Sequence, residues 1–355
     1  MPRGLVNRLV IDSTHATQMK RLIWLLLICL TTATGAVGQV RNEARRANRD
    51  VLRLGRWGVF THYLADSPGS SIGSPEAWDK RIDAFNVQGL ANQLANAKVS
   101  YYFITIGQNS GYFCAPNLTY DQLVGRQPSR CSRRDLISDL AKALAAKKIK
   151  LGVYLPANAP ENDQQAVDKL GWMRGDHRNA EFQRRWESII KEWSMRWGKN
   201  VFAWWIDGAY FADAMYRQAD PPNFQTFAAA LRSGNPSAII AFNPGINTVI
   251  KPMTEHEDFT AGEVDFYLPL PGRLPYNHNI AVNTSEALKG EQLHYLSFLG
   301  EWWGRGTPRF PTYFASAYTR YVNAQGGAVT WDVPISDSGH IPEEFVRQLR
   351  VLSGK

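Results

Sequence analysis

The 355-residue sequence is poor in cysteine and histidine, with three and seven respectively. Cys29, Cys114, Cys131 and the histidines show no paired metal-ligand spacing, so no zinc site is indicated. No segment matches a calcium loop, and no nucleophile elbow presents a serine. The strand-like GVFTHY (58–63) lacks the glycine-rich turn that a dinucleotide-binding sheet would want after its first strand. Repeats at solenoid or propeller spacing are absent, as is low complexity. Lysine and arginine outnumber acidic residues 40 to 32, giving a formal charge of +8 and a pI near 9.3. These charges are scattered. No basic helix interleaved with stacking aromatics suggests a nucleic-acid partner, so the excess reads as a solvated surface with some attraction for acidic polysaccharide.

The apolar stretch LIWLLLICL (22–30) is too short to cross a bilayer. It follows Lys20 and Arg21 and precedes small residues, with Ala36-Val37-Gly38 before Gln39, which is the pattern of a secretory signal. Residues 1–38 are therefore expected to be an over-extended start plus a signal peptide beginning at Met19, and residues 39–355 the mature domain. Export, periplasmic or secreted, with no stable membrane insertion after cleavage, is the expected localisation. In an oxidising compartment, Cys114 and Cys131, separated by one loop, are expected to form a disulfide. Asn117-Leu118-Thr119 and Asn283-Thr284-Ser285 fit the glycosylation sequon.

The remainder alternates. β-rich runs occur at Trp57–Tyr63, Tyr101–Gly107, Lys150–Ala157, Val201–Tyr210 and Ala238–Pro244, then entering His256–Glu263, near Leu293–Trp302, and at Ala328–Ile335. Helical spacing separates them, as at Val87–Ala97, Arg134–Lys147, Ala180–Trp197, Phe224–Ser233 and Pro342–Leu352. This rhythm predicts an α/β fold, a single-domain (β/α)8 TIM-like barrel, with a doubly wound sheet as the runner-up. In such a barrel the site gathers at the C-terminal strand ends. Those ends here mix hydrogen-bonding groups with aromatics such as Trp205 and Trp303, a combination suited to carbohydrate. Asp207, closing the run FAWWID, is the leading nucleophile candidate. Glu255, Glu257, Asp258, Glu263 and Glu301 are candidates for the second carboxyl that glycoside hydrolysis needs. His62 ends the first strand and is the best-placed histidine.

These motifs, in order, resemble the catalytic domain of the α-L-fucosidases, glycoside hydrolase family 29, over roughly residues 52–353. GRWGVFTHY (55–63) is similar to the family's "GxFxHW" strand. CSRRDLISDLAKALAAKKIKLGVYLPA (131–157) is similar to its "RD" helix and "GxYxS" strand, WWIDG (204–208) to "xWFDG", EDFTAGE (257–263) to "DYxTPE", and residues 326–349 to its closing element. The resemblance implies a retaining exo-glycosidase without cofactor, acting on terminal α-L-fucosides or a related sugar. Asp207 would be its nucleophile and Glu263 its acid/base, with Glu301 and Glu257 in reserve. It also implies that His62 binds sugar hydroxyls and that Trp78 and Tyr154 line the pocket. The family's two histidines in "KHHDGF" are Gln108 and Asn109 here, which bears on sugar choice. An α-galactosidase on the same barrel and a non-catalytic glycan-binding barrel are the alternatives. The family's C-terminal β-sandwich has no counterpart in the sequence.

Overall fold

Alternating strand and helix patterns become a curled parallel sheet backed by helices. The structure is a computed structural model, and it describes residues 43–67, 72–247, 249–274, 277–283, 288 and 290–353. The expected signal segment, Cys29, and Thr284-Ser285 of the second sequon lie outside these. The chain divides into two compact units, Met1–Ala44 and Arg45–Lys355; the second carries all the described strands.

After a helix ending at residue 55 (α1), this unit runs β1 (Trp57–Thr61), α2 (Pro75–Asp83), α3 (Val87–Asn96), β2 (Tyr101–Thr105), α4 (Leu118–Val124), α5 (Leu136–Ala146), β3 (Lys150–Pro156), α6 (Gln164–Leu170) and α7 (Ala180–Trp197). It continues with β4 (Val201–Asp207), α8 (Ala212–Met215), α9 (Phe224–Leu231), β5 (Ile239–Phe242), β6 (Gly272–Leu274), β7 (Asn277–Val282), β8 (His294–Phe298), α10 (Thr312–Ala324), β9 (Ala328–Asp332) and α11 (Glu343–Leu352). Seven strands pair in parallel in the order β5-β4-β3-β2-β1-β9-β8. The antiparallel hairpin β6–β7 stands apart and was not expected from the sequence.

The sequence pattern predicts eight strands; the sheet has seven. The run entering Glu263 is not a regular strand but an irregular segment between β5 and β8. Asp258 N–H donates to Ile240 O on one side, and Thr260 N–H to Gln292 O and Val264 N–H to Leu296 O on the other. Gly262, at φ +64°, interrupts the extended backbone.

Strand residues alternate between two cores. Phe60, Tyr101, Phe103, Tyr154, Trp205, Ala241, Ala261 and Leu296 fill the inner face. Val59, Tyr102, Ile104, Val153, Leu155, Trp204, Ile206 and Ile240 pack outward under the helices. Large inner rings need room on neighbouring strands: a Cβ on Gly58 would sit 2.1 Å from the Tyr101 ring, and one on Gly152 2.3 Å from Phe103. Helix α7 buries Trp186, Trp193 and Trp197. A buried indole N–H needs an acceptor, and Trp186 finds Pro156 O, at the C-terminal end of β3, at 2.9 Å. That bond fixes the helix to the strand end where the site lies.

The expected disulfide is not formed. Cys114 and Cys131 are both free and buried. Phe113, not Cys114, is the bridge partner of Cys131. The Cys114 thiol points instead toward Thr105 O at 3.5 Å. The sequon at Asn117 also has a structural use: the side chain is fully buried, caps α4 by accepting Tyr120 N–H, and donates to Ile189 O. It presents no acceptor for a glycan in the folded protein.

Candidate active site

One pleat step beyond the inner core, four strand ends and the irregular segment 258–264 present polar groups to a common mouth. The step of two residues carries Phe60 to His62, Trp205 to Asp207, Ala241 to Asn243, Ala261 to Glu263 and Thr330 to Asp332, keeping each on the inward face.

Asp207 ends β4 and is held by three donors. Its Oδ2 accepts the Tyr154 hydroxyl at 2.5 Å. Its Oδ1 accepts Gly208 N–H and Asn243 Nδ2, both at 2.8 Å. A carboxylate has roughly four acceptor sites, so one lone pair remains for chemistry. Burial, and then the charge of Asp207, push the Tyr154 phenol well up, so it stays a donor. Gln108 in turn donates to the Tyr154 hydroxyl at 2.6 Å, giving a chain from Gln108 through Tyr154 to Asp207.

Glu263 lies across from Asp207. The same Asn243 nitrogen donates to its Oε2 at 2.6 Å. One planar amide thus touches both carboxylates. Burial, then the neighbouring Asp207 charge, raise the Glu263 carboxyl to about 7, against the opposing pull of Asn243 and His62. At neutral pH a large fraction of Glu263 therefore carries a proton. His62 Nδ1 bonds Asp332 Oδ1 at 3.0 Å, and Gly304 N–H donates to Asp332 Oδ2 at 2.5 Å. Burial raises the Asp332 carboxyl, and His62 opposes that shift. With Nδ1 occupied, Nε2 is the ring nitrogen left for the cavity.

His62, Gln108, Tyr154, Asp207 and Glu263 line a cavity of about 460 Å³ together with Trp205, Trp302, Trp303, Arg81 and Arg305, within the usual range for small-ligand pockets. Trp205 stacks on Tyr154 at 5.4 Å and bonds Ala261 O through its indole. Trp303 packs against the His62 ring. Two further cavities adjoin. One, about 510 Å³, shares Glu263 and lies among Tyr210, Phe211, Asn247 and Lys251; another, about 310 Å³, shares Gln108 and Asp207.

Of the residues expected at the site, Asp207, Glu263, His62, Gln108, Tyr154, Trp205 and Trp303 line this cavity. Asn109 lines only the smallest neighbour. Trp78 is buried in the outer core, its indole on Phe113 O, and does not reach the pocket. Glu301 is exposed, accepts the Thr307 hydroxyl and lines none of these cavities. Glu257 is no second acid: it is buried and accepts three backbone N–H groups, from Phe242, Met253 and Thr254, which ties down the loop after β5. Asp258 is paired to Arg232 at 2.6 Å, and Glu255 is exposed. Asn243 and Asp332 close their strands but were not singled out from the sequence. Their parity with Ala241 and Thr330 is the signal that finds them. Among the described residues no group of three histidine, cysteine, aspartate or glutamate side chains is placed to hold a metal.

A curled parallel sheet with two neighbouring carboxylates at its C-terminal mouth defines the class, an α/β, TIM-like fold. No family model and no curated protein match the chain. Solved structures do. An endo-fucoidan hydrolase of glycoside hydrolase family 107, P5AFcnA, superposes with a TM-score of 0.59 at 16% identity, over 84% of this chain and 90% of that one. A second family 107 endo-fucoidan hydrolase, MfFcnA4, gives 0.62 at 17%, over 83% of this chain, which spans about half (52%) of that longer protein. An α-L-fucosidase of family 29 from Bacteroides thetaiotaomicron gives 0.57 at 14%, over 86% and 72%. The chain shares their fold.

Proposed function

We propose that the protein is a retaining glycosidase that removes terminal α-L-fucosyl units from glycans. The observation that carries this reading is the single Asn243 amide bonded to both Asp207 and Glu263. Those two bonds, laid end to end, bound the separation of the bridged oxygens. The spacing favours retaining enzymes, with carboxyls roughly 5–5.5 Å apart, over inverting ones, which need roughly 6.5–9.5 Å to admit a water. Asp207 attacks the anomeric carbon as the glycosidic bond breaks, and Glu263 gives its proton to the leaving oxygen. Water then attacks the same carbon, its proton returns to Glu263, and the ester to Asp207 breaks. The raised Glu263 carboxyl suits the first role, and the buried donors on Asp207 orient the second oxygen.

Fucose as the sugar is supported by the fold shared with fucoidan hydrolases and an α-L-fucosidase. Gln108, where the resembled family has a histidine, is committed to Tyr154, which leaves His62 Nε2 and Arg305 among the groups for hydroxyl selection. The irregular segment 258–264 we read as the sixth stave that completes an eightfold barrel. Export rests on the N-terminal sequence pattern and is checked by sequencing the N-terminus of protein recovered outside the cytoplasm.

The test uses a panel of aryl glycosides that includes an α-galactoside, with Asp207→Ala and Glu263→Ala in parallel. Turnover of the α-L-fucoside, abolished in Asp207→Ala and reduced about 10²–10⁴-fold in Glu263→Ala, is the expected result. Proton NMR should show the α-anomer of fucose formed first. Full activity of Asp207→Ala, or first release of the β-anomer, would overturn the mechanism. Turnover of another glycoside alone would overturn the sugar.

A further inference from the structure

The 510 Å³ cavity and the cavity that contains Asp207 and Trp205 have one lining residue in common, Glu263. This position has a chemical meaning under the reading above. A general acid must lie within hydrogen-bond reach of the oxygen it protonates. The group departing with that oxygen must therefore lie on the Glu263 side. The space there is similar in size to the one expected to hold the sugar being transferred.

Its lining suits a sugar. Tyr210 is 57% exposed and follows the Asp207-Gly208 turn. It stands at the edge of this cavity and of the smallest one, together with Phe211. Glycines flank it: a Cβ on Gly245 would come within 3.2 Å of the ring, and one on Gly208 within 3.8 Å. With neither side chain present, the ring rests over backbone. Asn247, Lys251 and Arg217 supply polar groups around it. An aromatic face rimmed by hydrogen-bonding side chains is what binds a pyranose ring, apolar on its face and hydroxylated at its edge.

We propose that this cavity is a leaving-group subsite that binds at least one further sugar of the glycan, with Tyr210 as its stacking face. The proposal rests on Glu263 being the acid. The substrate class is thus an oligosaccharide or polysaccharide rather than a fucoside of a small alcohol.

The experiment compares two substrates of the same transferred sugar, identified by the aryl panel and expected to be α-L-fucose. One is the glycosyl fluoride, whose leaving group is a single atom; the other is a trisaccharide ending in that sugar. Tyr210→Ala should lower the ratio of kcat/KM for the trisaccharide over the fluoride about tenfold, mainly through KM. Tyr210→Phe, which keeps the ring, should hold the ratio within about twofold. An unchanged ratio in Tyr210→Ala, or the same loss of ratio in Tyr210→Phe, would overturn the stacking role. If Glu263→Ala still turned over the trisaccharide at the normal rate, the acid assignment would fall first and take the subsite with it.

Discussion

Glu263 gains its character from burial and from neighbours that act in different directions. Burial and Asp207 raise its carboxyl to about 7, while Asn243 donates to its charged form and pulls the other way. In the proposed mechanism the acid must be protonated for the first bond to break. Activity is therefore expected below the raised value and lost as pH rises through it. A plot of kcat/KM against pH should fall about tenfold per unit above roughly 7. Asn243→Ala, which removes a donor to the carboxylate, should move that limb to higher pH. A limb that stayed put in Asn243→Ala, or none between pH 6 and 9, would show that Glu263 does not set it. Asp207 was legible in the sequence because a lone carboxylate after FAWWI needs a reason. Asn243 was not, because its role appears only when the registers of β4, β5 and segment 258–264 bring two carboxylates onto its one amide. Trp78 misled for the converse reason: an aromatic in a loop motif reads alike whether it faces a pocket or, as here, an outer core with an acceptor for its indole.

At the scale of elements, segment 258–264 departs most from the strand rhythm. Gly262 sits at φ +64°, and a Cβ there would lie 1.9 Å from His294 O, a backbone atom that cannot rotate away. Gly262→Ala should therefore cost more stability than the about 1–2 kcal/mol of left-handed strain alone, and it should also shift Glu263 and reduce turnover. Gly125→Ala is the control: its φ is +67°, but nothing lies within 4 Å of the added Cβ. Thermal melts and kcat for both variants decide it. Equal losses in melting temperature would mean the carbonyl contact plays no part. Sequence periodicity located the strands of the sheet within a few residues. It placed a strand at 256–263 too, because an apolar-polar alternation does not reveal a single glycine in the left-handed region. The hairpin β6–β7 was missed among prolines that read as loop.

For the molecule as a whole, the rhythm of strand and helix was legible because each inner ring and outer aliphatic follows the two-residue pleat. The pairing of distant segments was not. The cysteines show this best, since spacing suggested a bond between Cys114 and Cys131, which are both free and buried. Burial pushes the Cys131 thiol up, and Cys114 likewise. With residues 1–38 removed, thiol titration should find no rapidly reacting group in the native protein and two after unfolding, and reductant should leave the melting temperature unchanged. Rapid native reaction, or a reductant-dependent melt, would contradict the buried free pair. The sheet order has one more consequence. β1 pairs with β9, so the first and last of the described strands lie side by side, and His62 takes its orientation from Asp332, 270 residues later. Contacts of such separation form late in folding. A ribosome halted before Ala328 would carry Asp207 and Tyr154 already synthesised, but no partner to steer the imidazole. The mouth gains the carboxylate that orients His62 only once β9 has been made and paired with β1.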